Sequence, residues 1–406
     1  MMFSKLKTTR QYKPSFFSAL QFQGIGIGIG MLLSIPIGSS AAFFLWALEE
    51  VTKIRMAYSY LLYGLPFAGM GMGYLYYRWG KHANSGNAVI RKSLVDAQTP
   101  IPMHMGPMVL GSTLVAHLFG ASVGREGTAL QMAAAMVRPV VRFLNLSEKH
   151  YRMALTAAIA GGFGAVFGTP WAGLVFALEW NKKQPLRAQA LLPACITALL
   201  SDRICTAWGI SHSSFPAPQI PEFTVTYIGW MLAAGVLFGL LARSFVLLQM
   251  VVRKVATTWI PFPPLRLFWG GVLFVMMVSI LHTDRYLGLG LPIIQEAFSE
   301  TLSWEDPFWK LVLTALVLGV GFKGGEVTPL FFMGATMGSA LTLVFPYSPG
   351  LWAAVGWVAV FAGATHTPLA CIVMAAELFG PEVLPAAAIA CAVAYGTSGR
   401  KTVYAE

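Results

Sequence analysis

Two glutamates in apolar surroundings are the residues of this 406-residue sequence that are best placed to do chemistry. Glu126 separates residues 105–123 from residues 128–137, and neither run contains Asp, Glu, Lys or Arg. Glu326 follows 200 residues later in the same pattern, G-x-E-x-T-x-L. An acid inside a membrane segment is costly, so it is first interpreted as a functional group that faces a transport pathway or another polar group.

The residues around Glu126 indicate an anion site. Gly124 and Gly127 let backbone amides approach a ligand closely, and a helix that begins near Thr128 directs its partial positive charge to the same place. An ionised Glu126 can fill such a site when no anion is bound, whereas a protonated one has much less reason to stay. Because burial raises a carboxylate's pKa and amide hydrogen bonds lower it, a group balanced between these effects can exchange places with an anion while carrying a proton. The predicted chemistry is anion/proton exchange.

Glu326 has two interpretations. It is either a second acid on the path or a structural acid bonded to nearby amides or to Lys323. Its place in a membrane segment favours the first. Lys323 either pairs with Glu326 or faces solvent, and the sequence leaves both open. Arg125 is expected to anchor its loop through bonds to carbonyl or carboxylate oxygens.

The elements that position these motifs are predicted to be membrane helices. The chain is 56% hydrophobic and 11% charged, with a mean hydropathy of +0.64, whereas soluble domains carry about 25% charged residues. Several apolar stretches approach the roughly 20 residues that cross a bilayer, and no strand-like alternation is sustained. The 41 glycines and 24 prolines indicate broken and re-entrant helices. We therefore expect an all-α polytopic protein in a lipid bilayer.

Positive charge flanks the apolar segments. The net charge of +11 includes basic residues at 5–13 and 400–401, so membrane topology rather than nucleic-acid binding is the interpretation, and the positive-inside rule predicts that both termini are cytoplasmic. The long polar N-terminal region predicts no cleavable signal peptide. The four cysteines lack metal-ligand spacing, and we expect neither a metal nor a cofactor.

The apolar pattern predicts an interfacial segment at residues 1–20 and spans at about 24–48, 57–77, 225–250 and 266–283. After Glu126 a helix is predicted that runs to about Arg142. Residues 85–90 are either a loop or a glycine-led helix start whose amides meet an anion together with Asn87. On the residues alone we prefer the loop, because Gly-Asn is common in turns.

A second motif is also repeated, which indicates a duplicated chain. Residues 169–179 and 367–377 both read T-P-x-A-x-[LI]-V-x-A-x-E, at an offset of 198 residues. We predict an N-terminal segment at 1–20, a first membrane repeat at 21–223 and a second at 224–406. Internal repeats with interrupted helices are typical of secondary transporters. Glu179 and Glu377, at matching helix ends, are interpreted as interfacial caps.

These residues resemble a known family. Gly124-Arg125-Glu126-Gly127 is similar to the gating-glutamate motif of the CLC chloride channels and anion/proton antiporters, and the two Thr-Pro segments and Tyr395 follow in that family's order. The resemblance covers residues 24–400. It implies two inverted repeats of short, tilted and re-entrant helices, a pore in each subunit, and a homodimer.

Two departures narrow the resemblance. Chloride-transporting members carry Gly-Ser-Gly-Ile-Pro where this chain has Gly-Asn-Ala-Val-Ile at 86–90, and Gly-Ile-Phe-x-Pro where it has Gly-Glu-Val-Thr-Pro at 325–329. These changes resemble the fluoride/proton antiporter clade. The implied function is secondary active export of cytoplasmic fluoride in exchange for protons. The implied location is the inner membrane of a bacterium, and the export confers fluoride resistance. The alternative is a chloride/proton antiporter or chloride channel of the same family.

The resemblance also implies roles for single residues. Glu126 is the gate and proton carrier, Asn87 the central-site residue, and Glu326 and Thr328 a polar pair of the second repeat. Tyr395 bounds the inner anion site. The predicted anion-binding set is completed by the residues beside the two glutamates: Gly124, Gly127 and Val327. The internal proton-transfer glutamate of the chloride exchangers falls near Trp180, so their proton route is not expected here.

Two other classes of protein are alternatives to a transporter. An intramembrane hydrolase could be built on Ser398 in Gly-Thr-Ser-Gly with His366 as its base, but such short patterns recur freely and Ser398 is expected in a polar tail. A membrane scaffold does not explain two acids at repeat-related positions. We therefore predict a transporter and not an enzyme.

Overall fold

The computed structural model describes residues 16–80, 83–180 and 187–404, and within them the side chains of 16–20 and 187 are not described. These ranges fold almost entirely into α-helices. The first half contains α1 (Phe16–Ala57), α2 (Leu65–Arg78), α3 (Asn87–Val95), α4 (Met105–Leu118), α5 (Glu126–Phe143), α6 (Glu148–Phe167), α7 (Pro170–Glu179) and α8 (Arg187–Ala207). The second half contains α9 (Val225–Trp259), α10 (Pro263–Leu281), α11 (Leu291–Glu296), α12 (Glu305–Val320), α13 (Val327–Leu341), α14 (Pro349–Thr365), α15 (Pro368–Phe379) and α16 (Leu384–Thr397).

Helix α1 begins earlier than the span predicted at 24–48 and crosses its alternating glycines. A Cβ at Gly30 would lie 2.9 Å from Oγ1 of Thr197, and one at Gly38 would lie 2.6 Å from the carbonyl oxygen of Ser201. These glycines thus allow α1 to approach α8 closely, as small residues do between membrane helices. Of the interfacial segment predicted at 1–20, residues 1–15 lie outside the described part and 16–20 belong to α1.

Helix lengths divide the protein into long spans and short pieces. Within the described ranges, four helices are long and apolar enough to cross a membrane, at Gln21–Ala57, Ala188–Ala207, Val225–Trp259 and Pro263–Leu281. Other apolar helices are shorter, among them α4, α13 and α15. The broken helices predicted from the glycine and proline content are therefore confirmed. The basic residues at 5–13, which informed the predicted topology, lie outside the described part.

The two halves contact each other reciprocally. Glu377 accepts hydrogen bonds from the amides of Trp171 (3.0 Å) and Ala172 (2.7 Å) at the start of α7. Glu179 accepts them from Leu369 (3.3 Å) and Ala370 (2.9 Å) at the start of α15. The glutamates are caps, as predicted, but each caps a helix of the opposite repeat. Equivalent residues that exchange equivalent contacts are related by a two-fold rotation.

The boundary predicted at residue 224 falls in the connection between α8 and α9. The hydroxyl oxygen of Thr224 accepts a hydrogen bond of 3.2 Å from the amide of Tyr227 in the first turn of α9. The side chain is therefore an N-cap, which stabilises the start of this helix. The division into units at 21–223 and 224–406 stays a prediction.

Replacing one reciprocal cap is expected to destabilise the fold without touching the site. In Glu377→Gln, one side-chain oxygen remains to accept from the two amides that Glu377 now caps. The NH2 group that replaces the other oxygen faces an N–H donor and cannot accept from it. We expect a loss of about 1–2 kcal/mol, seen as a lower melting temperature of the detergent-solubilised protein. Glu382→Gln, at an exposed position, is the control and should melt like the wild type. Equal melting of the two variants would contradict the capping role.

Candidate functional site

The site begins where the two repeated motifs meet. The amide of Gly124 donates to the carbonyl oxygen of Gly325 (2.6 Å), and the amide of Gly325 donates back to Gly124 (2.8 Å). Each glycine lies two residues before the helix of its own repeat, Gly124 before α5 and Gly325 before α13. The antiparallel bridge therefore brings the starts of α5 and α13 together.

Glu126 fills the start of α13. One carboxylate oxygen accepts a hydrogen bond from the amide of Val327 (3.2 Å), and the other accepts one from the amide of Thr328 (3.0 Å) and a short one from its hydroxyl group. The glutamate is 1% exposed. The sequence predicted a helix from Thr128 that aims its own amides at Glu126. Instead α5 begins at Glu126 itself, and the start of α13 in the opposite repeat supplies amides to the carboxylate.

Glu326 is not the structural equivalent of Glu126. It is the residue before α13, half-buried, and it lines a cavity. Glu126, by contrast, is buried, and its carboxylate accepts hydrogen bonds from the amides of the two residues that directly follow Glu326. The two acids thus lie on either side of the same helix start, one facing the cavity and one sealed from it.

Asn87 begins a helix, so the preferred interpretation of residues 85–90 as a loop was wrong. Helix α3 starts at Asn87, and Gly86 has a φ of +53°, a conformation that glycine adopts freely. The carbonyl oxygen of the Asn87 side chain accepts a hydrogen bond of 3.5 Å from Gln131 on α5. Its amide nitrogen would lie 3.3 Å from a Cβ at Gly127. The small size of Gly127 therefore lets Asn87 approach the start of α5.

The basic residues close to the two glutamates, Arg125 and Lys323, have packing partners. Nζ of Lys323 donates to the side-chain oxygen of Asn84 (2.8 Å) and lies 4.3 Å from the ring centre of Tyr76. The guanidinium carbon of Arg125 lies 5.8 Å from the ring centre of Phe167. Lys323 thus holds the loop before Asn87. Arg125, which was predicted to bond carbonyl or carboxylate oxygens, lies over an aromatic ring.

A cavity of about 500 Å³ adjoins these residues. Its walls come from α3 and the turn before it, from α5, α9, α10 and α12, from the segment before α13, and from residues 402–404. Arg253, Arg266 and Lys323 are the basic residues in its lining, and Glu326 is the acidic one among the lining residues described. A cavity with this balance of charge attracts anions.

The tyrosine predicted beside the inner anion site does not line this cavity. The ring centre of Tyr395 lies 5.0 Å from that of His366, and Tyr395 is not among the lining residues, so its role at the inner anion site stays a prediction. Tyr404 lines the cavity instead. It is 6% exposed, its carbonyl oxygen accepts a bond of 2.7 Å from Arg91, and its ring meets Trp180 edge-on at 5.2 Å. Sequence reasoning missed Tyr404 because it follows Arg400 and Lys401 in a polar tail, where nothing signals burial.

Ser398 and His366, considered as a nucleophile and its base, do lie near each other. Ser398 Oγ is 3.5 Å from His366 Nε2 and donates to the carbonyl oxygen of Tyr395 (3.1 Å). Ser398 is 3% exposed at the end of α16, so the expected polar-tail setting was wrong. Its bond to the last turn of α16 is typical of a helix end.

Comparison with known proteins defines the class. The profile of the voltage-gated chloride channel family matches residues 68–399, so the chain belongs to this family, the CLC family. It is 39% identical to a "Chloride/fluoride channel protein" of Pseudomonas syringae pv. tomato over 398 residues, which covers 97% of this chain and 88% of the relative.

Solved structures share the fold. A CLC-type fluoride/proton antiporter superposes with a TM-score of 0.90 at 31% identity, covering 97% of this chain and 98% of that one. A slow cyanobacterial Cl⁻/H⁺ antiporter superposes with a TM-score of 0.79 at 18% identity, covering 92% and 94%. The chain is therefore a membrane protein with the CLC fold of two inverted repeats.

Proposed function

We propose that this protein is a secondary active transporter that exports fluoride from the bacterial cytoplasm in exchange for protons, and thereby confers fluoride resistance. The observation that carries the proposal is the Glu126 carboxylate at the start of α13, held by two amides and the hydroxyl group of Thr328. A monovalent anion that takes these donors must displace the carboxylate. Protonation removes the negative charge that holds it there, so anion binding and proton binding to Glu126 favour each other.

The donors around Glu126 fit a small, strongly hydrated anion. Fluoride enters a protein site only where strong donors replace its lost water. The amides of Val327 and Thr328, the hydroxyl group of Thr328 and the amide group of Asn87 are such donors. Chloride is larger and binds water less tightly, so it has less to gain from donors this close. The related fluoride/proton antiporter and chloride/fluoride channel protein support this choice of anion.

The charge distribution supports a cytoplasmic opening for the cavity. Arg253 and Lys254 near the end of α9 and Arg266 near the start of α10 flank one connection, and positive residues favour the cytoplasmic side. Residues 402–404 line the same cavity, which supports a cytoplasmic C-terminus. We place the N-terminus on that side from its basic residues at 5–13. The inner membrane of a bacterium is the proposed location.

Each subunit is proposed to hold a complete pathway within a homodimer. Glu126, Glu326, Asn87 and Thr328 all come from one chain and meet around one helix start. Catalysis by Ser398 has no part in this scheme. The mass of the purified complex in detergent tests the dimer, and a mass of one subunit would overturn it.

The function is tested in proteoliposomes that contain the purified protein. Efflux of fluoride and of chloride is compared while the internal pH is recorded. We expect fluoride efflux to exceed chloride efflux and to drive protons inward against their gradient. Equal or faster chloride flux would return the protein to the chloride/proton antiporter or channel alternative. Fluoride flux without proton movement would mean a fluoride channel.

Arg253 is expected to speed anion access to the cavity. Arg253→Gln removes one positive charge from the lining, so fluoride efflux at low ionic strength should fall about 2- to 10-fold, and the deficit should shrink at high ionic strength because salt screens the charge. Lys254→Gln, on the same helix but outside the cavity lining, is the matched control. Equal effects of the two substitutions would mean that the lining charge plays no part.

A further inference from the structure

Lys323 connects the two loops that carry the predicted anion-binding residues. Its Nζ atom donates to the side-chain oxygen of Asn84 (2.8 Å) and to the carbonyl oxygen of Asn84 (3.4 Å). Asn84 belongs to the turn that leads into α3 and Asn87, while Lys323 lies three residues before Glu326. One side chain thus bridges residues that are 239 positions apart and belong to different repeats.

The surroundings of this bridge hold the ammonium group in place. It lies 4.3 Å from the ring centre of Tyr76, a cation–π contact. The main-chain bonds of the Asn84 turn are local, from Asn84 to Gly80 (2.8 Å) and from Gly86 to Ala83 (3.2 Å). These bonds shape the turn but do not fix it against the second repeat. The bond from Lys323 does, and we call it the Lys323–Asn84 clamp.

We propose that Lys323 is a positioning residue for fluoride selectivity, because its clamp fixes the separation between Asn87 and Glu326 across the repeat interface. The proposal rests on the fluoride-export function above. The attraction between an ion and a donor grows as their distance shrinks. Fluoride can approach donors more closely than chloride, so it gains more from a rigid, narrow site. Loosening the two loops therefore weakens fluoride binding more than chloride binding. Selectivity is the difference between these two binding free energies, so it falls.

A second role for Lys323 must be separated from the clamp. Arg253, Arg266 and Glu326 face the same cavity, and a positive charge among them attracts any anion. Loss of charge alone therefore slows fluoride and chloride efflux together and leaves their ratio unchanged. Arg253→Gln removes charge from the lining and leaves the clamp intact, so it serves as the matched control.

The test measures the ratio of fluoride to chloride efflux in proteoliposomes for Lys323→Met, Asn84→Ala and the double variant. Lys323→Met keeps most of the side-chain length and removes the donor, while Asn84→Ala removes the side-chain acceptor from an exposed position. We expect the ratio to fall about tenfold in each variant, as for the loss of one hydrogen bond to a charged group. The double variant should fall no further, since both changes break one contact. Lys323→Arg should restore most of the ratio.

Each other outcome counts against the proposal. An unchanged ratio in Lys323→Met or Asn84→Ala would overturn the clamp, and so would an equal fall in Arg253→Gln or additive losses in the double variant. Melting temperatures of all variants show whether they fold. If Lys323→Met does not fold, Asn84→Ala carries the test alone. A wild-type protein that prefers chloride would overturn the fluoride function itself, which is a distinct result.

Discussion

Glu126→Gln is expected to abolish the inward movement of protons that a fluoride gradient drives. Glutamine carries no exchangeable acid proton, so it cannot take one across the membrane, and its neutral amide no longer competes as an ion for the donors of Val327 and Thr328. We expect coupled exchange to fall at least 100-fold, the order found when a positioned proton carrier is removed. The measurement is the internal pH of proteoliposomes during fluoride efflux.

The matched control for this prediction is Glu377→Gln. Glu377 also accepts hydrogen bonds from two amides at the start of a helix in the opposite repeat, but it lies outside the cavity and away from α13. It should lower the melting temperature and leave the ratio of protons to fluoride unchanged. If Glu126→Gln still moves protons uphill, the proton carrier is another residue, and Glu326 becomes the candidate.

Gly325→Ala is expected to stop transport by a different route. A Cβ at Gly325 would lie 2.9 Å from the amide nitrogens of Glu126 and Gly127 and would also collide with the Glu126 carboxylate. Side-chain atoms do not come this close, so the bridge between Gly124 and Gly325 must widen and Glu126 must leave its donors on Thr328. A displacement of about 1 Å at a reacting group costs about 100-fold in rate. Fluoride efflux should fall by that order.

Gly111→Ala shows whether any added methyl group has this effect. Gly111 lies in α4, and no atom lies within 4 Å of a Cβ at that position. Alanine is a better helix former than glycine by about 0.5–1 kcal/mol, so this variant should melt at or above the wild-type temperature and transport normally. Melting and gel filtration of Gly325→Ala show whether it folds. Wild-type efflux from a folded Gly325→Ala protein would refute the close approach of the two motifs.

The sequence by itself determined the class of protein and the glutamate at the centre of the site. Apolar length and low charge predict membrane helices, and the helices α9 and α10 lie where spans were predicted, whereas the span predicted at about 57–77 contains α2, a helix of 14 residues. Two motifs at offsets of 200 and 198 residues predict the duplication. Glu126 was recognised because an acid in an apolar run is visible without any knowledge of the fold. All these signals lie within contiguous segments of the chain, so they can be recognised without knowing which distant segments come into contact.

Only the tertiary structure decided which groups meet. Glu126 binds amides 201 and 202 positions away, the caps Glu179 and Glu377 exchange helices, and Lys323 reaches Asn84. Tyr404, rather than Tyr395, lines the cavity. Each of these contacts depends on how one repeat packs against the other. Local helix preferences do not determine that packing, because a helix start attracts an acid equally well from its own chain segment or from a distant one.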